Sequence, residues 1–185
     1  TEEFSKLLGN AEKGRKIHVA VLDNDLPGQQ EITGKLKTNL SNGLVSVITM
    51  YAGEGPKASN FKMMDDEYVA EPFEVRELVK LIESEYARCS QESLLFRQEA
   101  HLEINSSEPS VARAAETVEG MLVQAGLNDE SRESFLYAIR EAIDNSRRHG
   151  NQSDEPKLVD FLYVRDREKI TVTVEDEGPG FDFCE

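Results

Sequence analysis

The sequence predicts an α/β fold with a parallel sheet over residues 1–88, a helical linker over residues 89–101, and an α+β sandwich over residues 102–185. In the first part, short apolar runs alternate with helical segments, which is typical of parallel strands joined by crossover helices. In the last part, two helical segments precede two strands of alternating polarity. The stretch between them is charged and contains neither glycine nor proline, so it can continue a helix.

Composition and charge limit the classes of partner that we expect this protein to bind. The chain has 21 basic and 36 acidic residues, a formal net charge of -15. A nucleic-acid or anionic-membrane surface needs clustered positive charge, so we expect neither partner. No run of about 18 apolar residues is present, and the acidic start is unlike a secretory signal. Cys89 and Cys184 lie far apart, which predicts neither a disulfide nor a metal knuckle, and we expect a soluble cytoplasmic protein.

The first part begins with an amphipathic helix predicted over residues 1–14, which carries Phe4, Leu7 and Leu8 on one face. Residues from about 51 to Met64 are predicted to be irregular or weakly helical. The remaining elements are strands at Ile17–Asp23, Leu44–Met50 and Glu67–Phe73, and helices over residues 29–39 and from Glu74 onward.

The last of these helices is predicted to run unbroken over residues 74–100. Its extension would expose Leu94, Leu95 and Phe96. We expect these side chains to pack against another surface, because full burial of a large apolar side chain contributes about 1.5–3 kcal/mol of free energy relative to exposure. A second copy of the chain could bury them, which predicts a homodimer through paired linker helices. The alternative is a surface helix that packs on its own domain.

The last part starts with a short strand from His101. A helix then begins around residues 107–110, with Ser110 as its cap, and ends before Gly126. A second helix is predicted from Asn128 to His149, with Gly150 as its stop. Two strands over residues 158–166 and 169–178, with a tight polar turn between them, predict an antiparallel hairpin.

Two polar residues lie near the carboxyl ends of the first two predicted strands. Asp23 ends one strand and is followed by Pro27 and Gly28, and Thr49 stands near the end of the next. Such strand ends share one sheet edge, where ligands bind. A plain β-turn at Asp23 is the alternative. In order and spacing, this half resembles a bacterial response-regulator receiver domain, a flavodoxin-like fold, and the resemblance makes Asp23 the phosphoacceptor and Thr49 the switch residue.

Glu71 departs from the receiver pattern, because it precedes Pro72 where receivers carry a lysine. A glutamate repels a phosphoryl group that a lysine would contact. The acidic pair that binds Mg²⁺ in receivers has no counterpart in the sequence, and we expect the chain to begin at the second helix of a truncated or degenerate receiver. These departures predict inefficient phosphorylation of Asp23 by small phosphodonors.

A second set of residues lies in the last part. Glu141, Asn145 and His149 are spaced four apart, which predicts one polar stripe along a helix. Asp176 ends a predicted strand before Gly178 and Gly180. A solvated helix face and a simple glycine turn are the alternatives.

These features occur in the order of the N box and first glycine box of the gyrase/histidine-kinase ATPase superfamily. Residues 102–185 resemble in particular the branch that contains the anti-sigma-factor serine kinases. The resemblance implies ATP and Mg²⁺ as cofactors, with Asn145 as metal ligand, Glu141 as catalytic base, and Asp176 as partner of the adenine amino group. Gly178 and Gly180 would let the backbone approach the nucleotide. The family continues with a lid that we expect to be cut off here.

Together the resemblances imply a bacterial two-component signalling regulator, part of a phosphorelay. A receiver would control a serine/threonine kinase that phosphorylates an anti-sigma-antagonist-type protein. That protein or a sigma factor is the expected partner, with an upstream histidine kinase as donor. The alternative is a non-catalytic pseudo-receiver and ATPase-fold switch that works by protein binding. A histidine kinase is disfavoured, because His101 runs into a predicted strand.

Overall fold

The structure is a computed structural model that describes residues 16–53, 55–56 and 59–180 of the chain. The helix predicted over residues 1–14 lies outside the described residues. Two compact units are present, the first drawn from residues 1–58, 63–99 and 164–170 and the second from residues 59–62, 100–163 and 171–185. Within the described part, no helix has the length and apolar character needed to cross a membrane.

Seven strands and four α-helices make up the described chain. The strands are β1 (Val19–Asp23), β2 (Ser46–Tyr51), β3 (Phe61–Met63), β4 (Glu67–Ala70), β5 (Gln98–Asn105), β6 (Leu158–Arg165) and β7 (Ile170–Asp176). The α-helices are α1 (Gln29–Thr38), α2 (Val75–Glu92), α3 (Glu108–Gln124) and α4 (Asp129–Asn145). A 3₁₀ helix at Leu40–Asn42 and a π-helical turn at Ser146–Gly150 complete the order.

The first unit contains a parallel sheet with the strand order β1-β2-β4. The three strands predicted here are confirmed, with small shifts of their ends. Asp23 pairs with Met50, so the carboxyl ends of β1 and β2 lie side by side. Helix α1 contributes Ile32 and Leu36 to a core that also contains Leu22 of β1 and residues in and just before β2.

Helix α2 is shorter than the sequence predicted. It starts with a capping box, in which the side chains of Glu74 and Glu77 each accept a backbone N–H of the other. It ends at Glu92, and the N–H groups of Leu94 and Leu95 close tight turns onto Gln91 and Glu92. The single helix over residues 74–100 and the helical linker over 89–101 are therefore wrong beyond Glu92.

The reason is the polarity pattern that follows. From Gln98 onward, alternate residues are buried, including Ala100, Leu102 and Ile104. This period of two suits a strand and would scatter the apolar side chains around a helix. Strand β5 therefore begins where a continued helix was expected.

A buried ionic cluster links α1, α2 and the residue before β4. The carboxylate of Asp66 accepts hydrogen bonds from the Lys37 ammonium at 2.5–2.6 Å, from the Val47 N–H at 2.6 Å and from the Arg88 guanidinium at 3.2 Å. Arg88 also donates to Glu85, whose other donor is the Ser46 hydroxyl at 2.7 Å. Each charge in this cluster is matched by an opposite one, which buried ions require.

Glu85 makes the stability of the cluster pH-dependent. Burial alone would raise the pKa of Glu85, but hydrogen bonds from Arg88 and Ser46 outweigh it and hold the pKa below its ordinary value. Because the pKa of Glu85 is lower in the folded protein than in the unfolded chain, the carboxylate stabilises the fold at pH values above the unfolded pKa. That contribution is lost as the pH falls through the pKa of the folded protein. We expect the free energy of unfolding to fall more steeply below about pH 4.5 in the wild type than in Glu85→Gln. Urea denaturation across this range measures it, and identical pH profiles would contradict the assignment.

The second unit is built on helices α3 and α4 and a four-stranded sheet of order β3-β5-β6-β7, which is antiparallel. The predicted hairpin is confirmed as β6 and β7, with Asp166 and Lys169 closing the turn. Strand β3 falls in the stretch predicted to be irregular or weakly helical. The cap of α3 is Ser107, and Ser110 lies inside the helix and buried, so that cap prediction was wrong.

Candidate functional site

Helix α4 carries two of the predicted site residues. Its start is fixed by Asn128, whose side chain accepts the Ser131 N–H at 2.8 Å. Leu136, Ile139 and Ile143 are buried on one side of the helix. The side chains of Glu141 and Asn145 are exposed on the helix and hydrogen-bond to no residue that the structure describes. Their oxygens are therefore available to a ligand.

The helix changes its hydrogen bonding directly after Asn145. Residues Ser146–Gly150 form a π-helical turn, in which the Asn151 N–H donates to the Ser146 carbonyl at 2.7 Å. His149 lies within this wider turn, so the four-residue spacing of an α-helix holds only for Glu141 and Asn145. The stripe of three residues predicted from sequence is corrected to these two. Single π-helical turns of this kind are frequent at functional sites.

Asp176, at the end of β7, lies directly against the end of this π-helical turn. A Cβ atom added to Gly150 would overlap the carboxylate of Asp176, and one added to Gly178 would overlap the carbonyl of Gly150. Gly178 donates its N–H to Asp176 Oδ1 at 2.9 Å. Gly150 is five residues beyond Asn145, so Asp176 is anchored within roughly 8 Å, along the helix axis, of the Asn145 backbone.

Asn151 holds this junction together. Its side chain is fully buried and donates to the Ser106 hydroxyl at 2.9 Å and to the Leu158 carbonyl at 2.8 Å. Its oxygen accepts the N–H of Glu177 at 2.9 Å. Sequence reasoning missed Asn151, because a lone asparagine after a glycine has no spacing signal that distinguishes it from a loop residue.

The second glycine of the motif has a different role. Gly180 has φ of +74°, a left-handed conformation that side chains disfavour. Gly178 has no such φ and is required instead by its close approach to Gly150. The two glycines that the sequence pattern placed together are thus needed for separate reasons.

Glu141 also borders a surface pocket of about 350 Å³ between α3 and α4. Arg140, Arg147 and Arg148 contribute positive charge to its lining. Arg147 and Arg148 both pair with Asp144, at 3.0 and 2.8 Å, which fixes their guanidinium groups on the helix surface.

These features fall within one stretch of the chain that matches a family model. Residues 104–185 match the family model of the histidine kinase-like ATPase domain. We call this stretch the ATPase-like domain. The match contains all five of its predicted site residues, Glu141, Asn145, Asp176, Gly178 and Gly180. No curated protein matched the chain.

The family binds ATP, usually with Mg²⁺, and the residues of the ATPase-like domain fit that pair. Magnesium prefers oxygen ligands and keeps several waters, so one amide oxygen on an exposed helix suffices as a protein contact. Asn145 offers such an oxygen. In the described chain, no cluster of three or more histidine, cysteine, aspartate or glutamate side chains has metal-binding geometry.

The receiver-like edge of the first unit is arranged differently. Asp23 is exposed, and its Oδ1 accepts the Asp25 N–H at 2.8 Å in a local turn. Thr49 is fully buried, and its hydroxyl accepts a hydrogen bond from the Gln29 side chain at 3.3 Å. Glu71 is exposed, and its N–H donates to the Tyr51 carbonyl. The receiver resemblance has no support from a family match and stays a prediction.

Proposed function

We propose that the protein is a signalling regulator whose ATPase-like domain binds Mg-ATP and transfers phosphate to a serine or threonine of a protein substrate. One observation carries the proposal: Glu141 and Asn145 stand free on α4, and the π-helical turn that follows them packs against the Asp176 carboxylate. A magnesium ligand, a base and an adenine partner are thus supplied by one rigid junction.

Each residue has a separate role in the proposal. Asn145 offers its side-chain oxygen to the metal, which when bound neutralises charge on the phosphates. Glu141, one helical turn earlier, accepts the proton of the attacking hydroxyl. Asp176 keeps Oδ1 on the Gly178 N–H and presents Oδ2 to the adenine amino group. Gly178 and Gly180 shape the backbone beside the base.

Phosphate transfer from radiolabelled ATP to an anti-sigma-antagonist-type protein tests the proposal in the full-length gene product that carries these residues. Loss of a general base typically costs about a hundredfold or more in rate, so we expect Glu141→Ala to lower transfer by that factor while ATP still binds. Glu133→Ala is the matched control, because Glu133 is an exposed glutamate on the same helix. Wild-type transfer by Glu141→Ala would exclude the assigned mechanism.

The proposal extends to the first unit and to partners. We infer that the receiver-like unit biases the kinase, with phosphate arriving at Asp23 from an upstream histidine kinase. The substrate is an anti-sigma-antagonist-type protein, and a sigma factor is the downstream partner. The parallel sheet supports this assignment, because it places Asp23 at the carboxyl edge where such ligands bind.

Asp23 should nevertheless accept phosphate poorly from small donors. Glu71 follows β4 at the same edge, where it adds negative charge. We expect acetyl phosphate to give almost no Asp23 adduct by intact-mass spectrometry, and Glu71→Lys to raise the yield. A strong Asp23-dependent adduct in the wild type would contradict this, with Asp23→Asn as the control.

A non-catalytic switch is the second candidate function, and one observation favours it. The Thr49 side chain is fully buried, with its hydroxyl oxygen accepting a hydrogen bond from Gln29, so the hydroxyl is shielded from solvent and is not displayed at the exposed edge where Asp23 lies. In this case the acidic surface would bind a basic partner protein, and nucleotide would be dispensable. Calorimetry with Mg-ATP separates the two functions, because only the kinase requires a saturable binding isotherm that Asn145→Ala weakens.

We further propose that the protein forms a homodimer through the apolar residues after α2. Leu94 and Leu95 are 67% and 64% exposed in a single chain, although each would gain about 1.5–3 kcal/mol from full burial. We expect light scattering to show a dimer for the wild type and a monomer for Leu94→Glu/Leu95→Glu. A monomer in both cases would contradict the dimer.

A further inference from the structure

A pocket of about 340 Å³ opens at the amino-terminal side of the parallel sheet in the first unit. It is lined by residues just before β1, by the 3₁₀ helix and the loop that follows it, by the chain between α2 and β5, and by Arg165 at the end of β6. Strand β1 separates it from Asp23 by roughly 13 Å, since each residue of a strand adds about 3.3 Å. The pocket is therefore separate from the receiver-like edge.

The charge of the pocket contrasts with that of the protein. Lys16, Arg97 and Arg165 all line it, and its described lining contains no carboxylate, although the chain has a net charge of -15. Arg97 and Arg165 are held as neighbours, because the Arg97 N–H donates to the Arg165 carbonyl at 2.7 Å. An anion bound in the pocket would be attracted to each of these positive charges.

Two of these cations are free to bind a ligand. The side chains of Lys16 and Arg97 form no ion pair with any residue in the described ranges, and both residues are exposed. By contrast, Lys37 and Arg88 in the same unit are both matched with carboxylates. The planar fork of an arginine matches the oxygens of a phosphate, and a lysine adds a point charge.

Apolar side chains form part of the pocket wall. Leu40, Leu44 and Phe96 contribute to it, and the φ of +70° at Gly43 turns the chain between the two leucines. A flat ring can pack on such a wall, whereas inorganic phosphate cannot use it. A pocket of this volume lies at the lower end of the range for small-molecule sites.

We propose that this pocket binds a small phosphate ester that carries a flat ring, of the size of a nucleoside monophosphate. The phosphate lies among Lys16, Arg97 and Arg165, and the ring packs on Phe96. None of the pocket's lining residues belongs to the proposed ATP site, and the pocket would give the first unit a ligand input that does not require phosphorylation of Asp23.

Calorimetric titration of the full chain without Mg²⁺ tests this, with AMP, inorganic phosphate and adenosine as the three probes. The titrations use the Asp176→Asn background, which removes the proposed adenine contact of the ATPase-like domain. We expect AMP to bind at least about tenfold more tightly than either other probe, because only AMP has both a phosphate for the cationic side chains and a ring for Phe96. Equal affinity for AMP and inorganic phosphate would overturn the proposal, as would no binding of AMP.

Variants locate the site. Lys16→Gln/Arg97→Gln should weaken AMP binding at least about tenfold, since two charge-assisted contacts are lost. Arg76→Gln/Lys80→Gln is the matched control, because it removes the same charge from exposed positions on α2. Phe96→Ala should weaken AMP and leave inorganic phosphate unchanged. Equal losses in the two double variants would show general electrostatics and overturn the proposal.

Discussion

Asp66→Ala should destabilise the first unit by about 3–5 kcal/mol, the typical cost of removing one partner of a buried ion pair. The side chains of Asp66 and Lys37 are only 11% and 5% exposed, so the ammonium left behind could not recover its charge balance from water. The backbone N–H of Val47 and one donor of Arg88 would lose their acceptor as well. Urea denaturation of the full chain measures the loss.

Two variants separate charge burial from other effects. Glu31→Ala breaks the exposed pair of Lys35 and Glu31, and we expect almost no change, because exposed pairs contribute little. Lys37→Met in the Asp66→Ala background should recover part of the loss, since an apolar side chain can lie buried without a partner. A loss that Lys37→Met deepens would show that the cluster stabilises the fold by some route other than charge matching.

The parallel sheet could be predicted because its strands are continuous apolar runs with turn residues between them. Strand β2 is buried at every position except Met50, which is the environment that such a run requires. The β6–β7 hairpin was predicted because its two strands have a strand-like polarity pattern and a tight polar turn between them.

The end of helix α2 could not be predicted in the same way. The turn at Leu94 and Leu95 contains no glycine or proline, so no local signal marks its i to i+3 hydrogen bonds or the start of β5 a few residues later. Strand β3 was missed because three residues are too few to show a period, and it forms only where β5 offers an edge. Both errors are cases in which tertiary pairing overrides local preference.

The candidate site, like the fold, could be predicted from the sequence only in part. The spacing of Glu141 and Asn145 and the order of Asp176, Gly178 and Gly180 were sufficient to predict one candidate site, which stays a prediction. The sequence could not show that Gly150 touches Asp176, because the two are far apart in the chain and neither spacing nor polarity links them. The role of Asn151 depends on groups of Ser106, Leu158 and Glu177, so it too emerges only in three dimensions.

Gly150→Ala should lower the affinity for ATP by up to roughly a hundredfold in the proposed function, since overpacking of a tight site costs about 1–3 kcal/mol. The new methyl group would overlap the carboxylate of Asp176. Asp176 would have to rotate away, and its hydrogen bond from the Gly178 N–H would break. The adenine partner would then be misplaced while Glu141 and Asn145 stay on their helix.

Calorimetry with Mg-ATP measures this effect, and Gly120→Ala is the matched control. Gly120 is an exposed glycine inside α3 with open space at its Cβ, so the same substitution there should stabilise the protein by about 0.5–1 kcal/mol and leave ATP affinity unchanged. Adding Asp176→Ala to Gly150→Ala should cause little further loss of affinity, because both changes act on one carboxylate. A folded Gly150→Ala protein that binds ATP as the wild type does would show that the junction does not position Asp176.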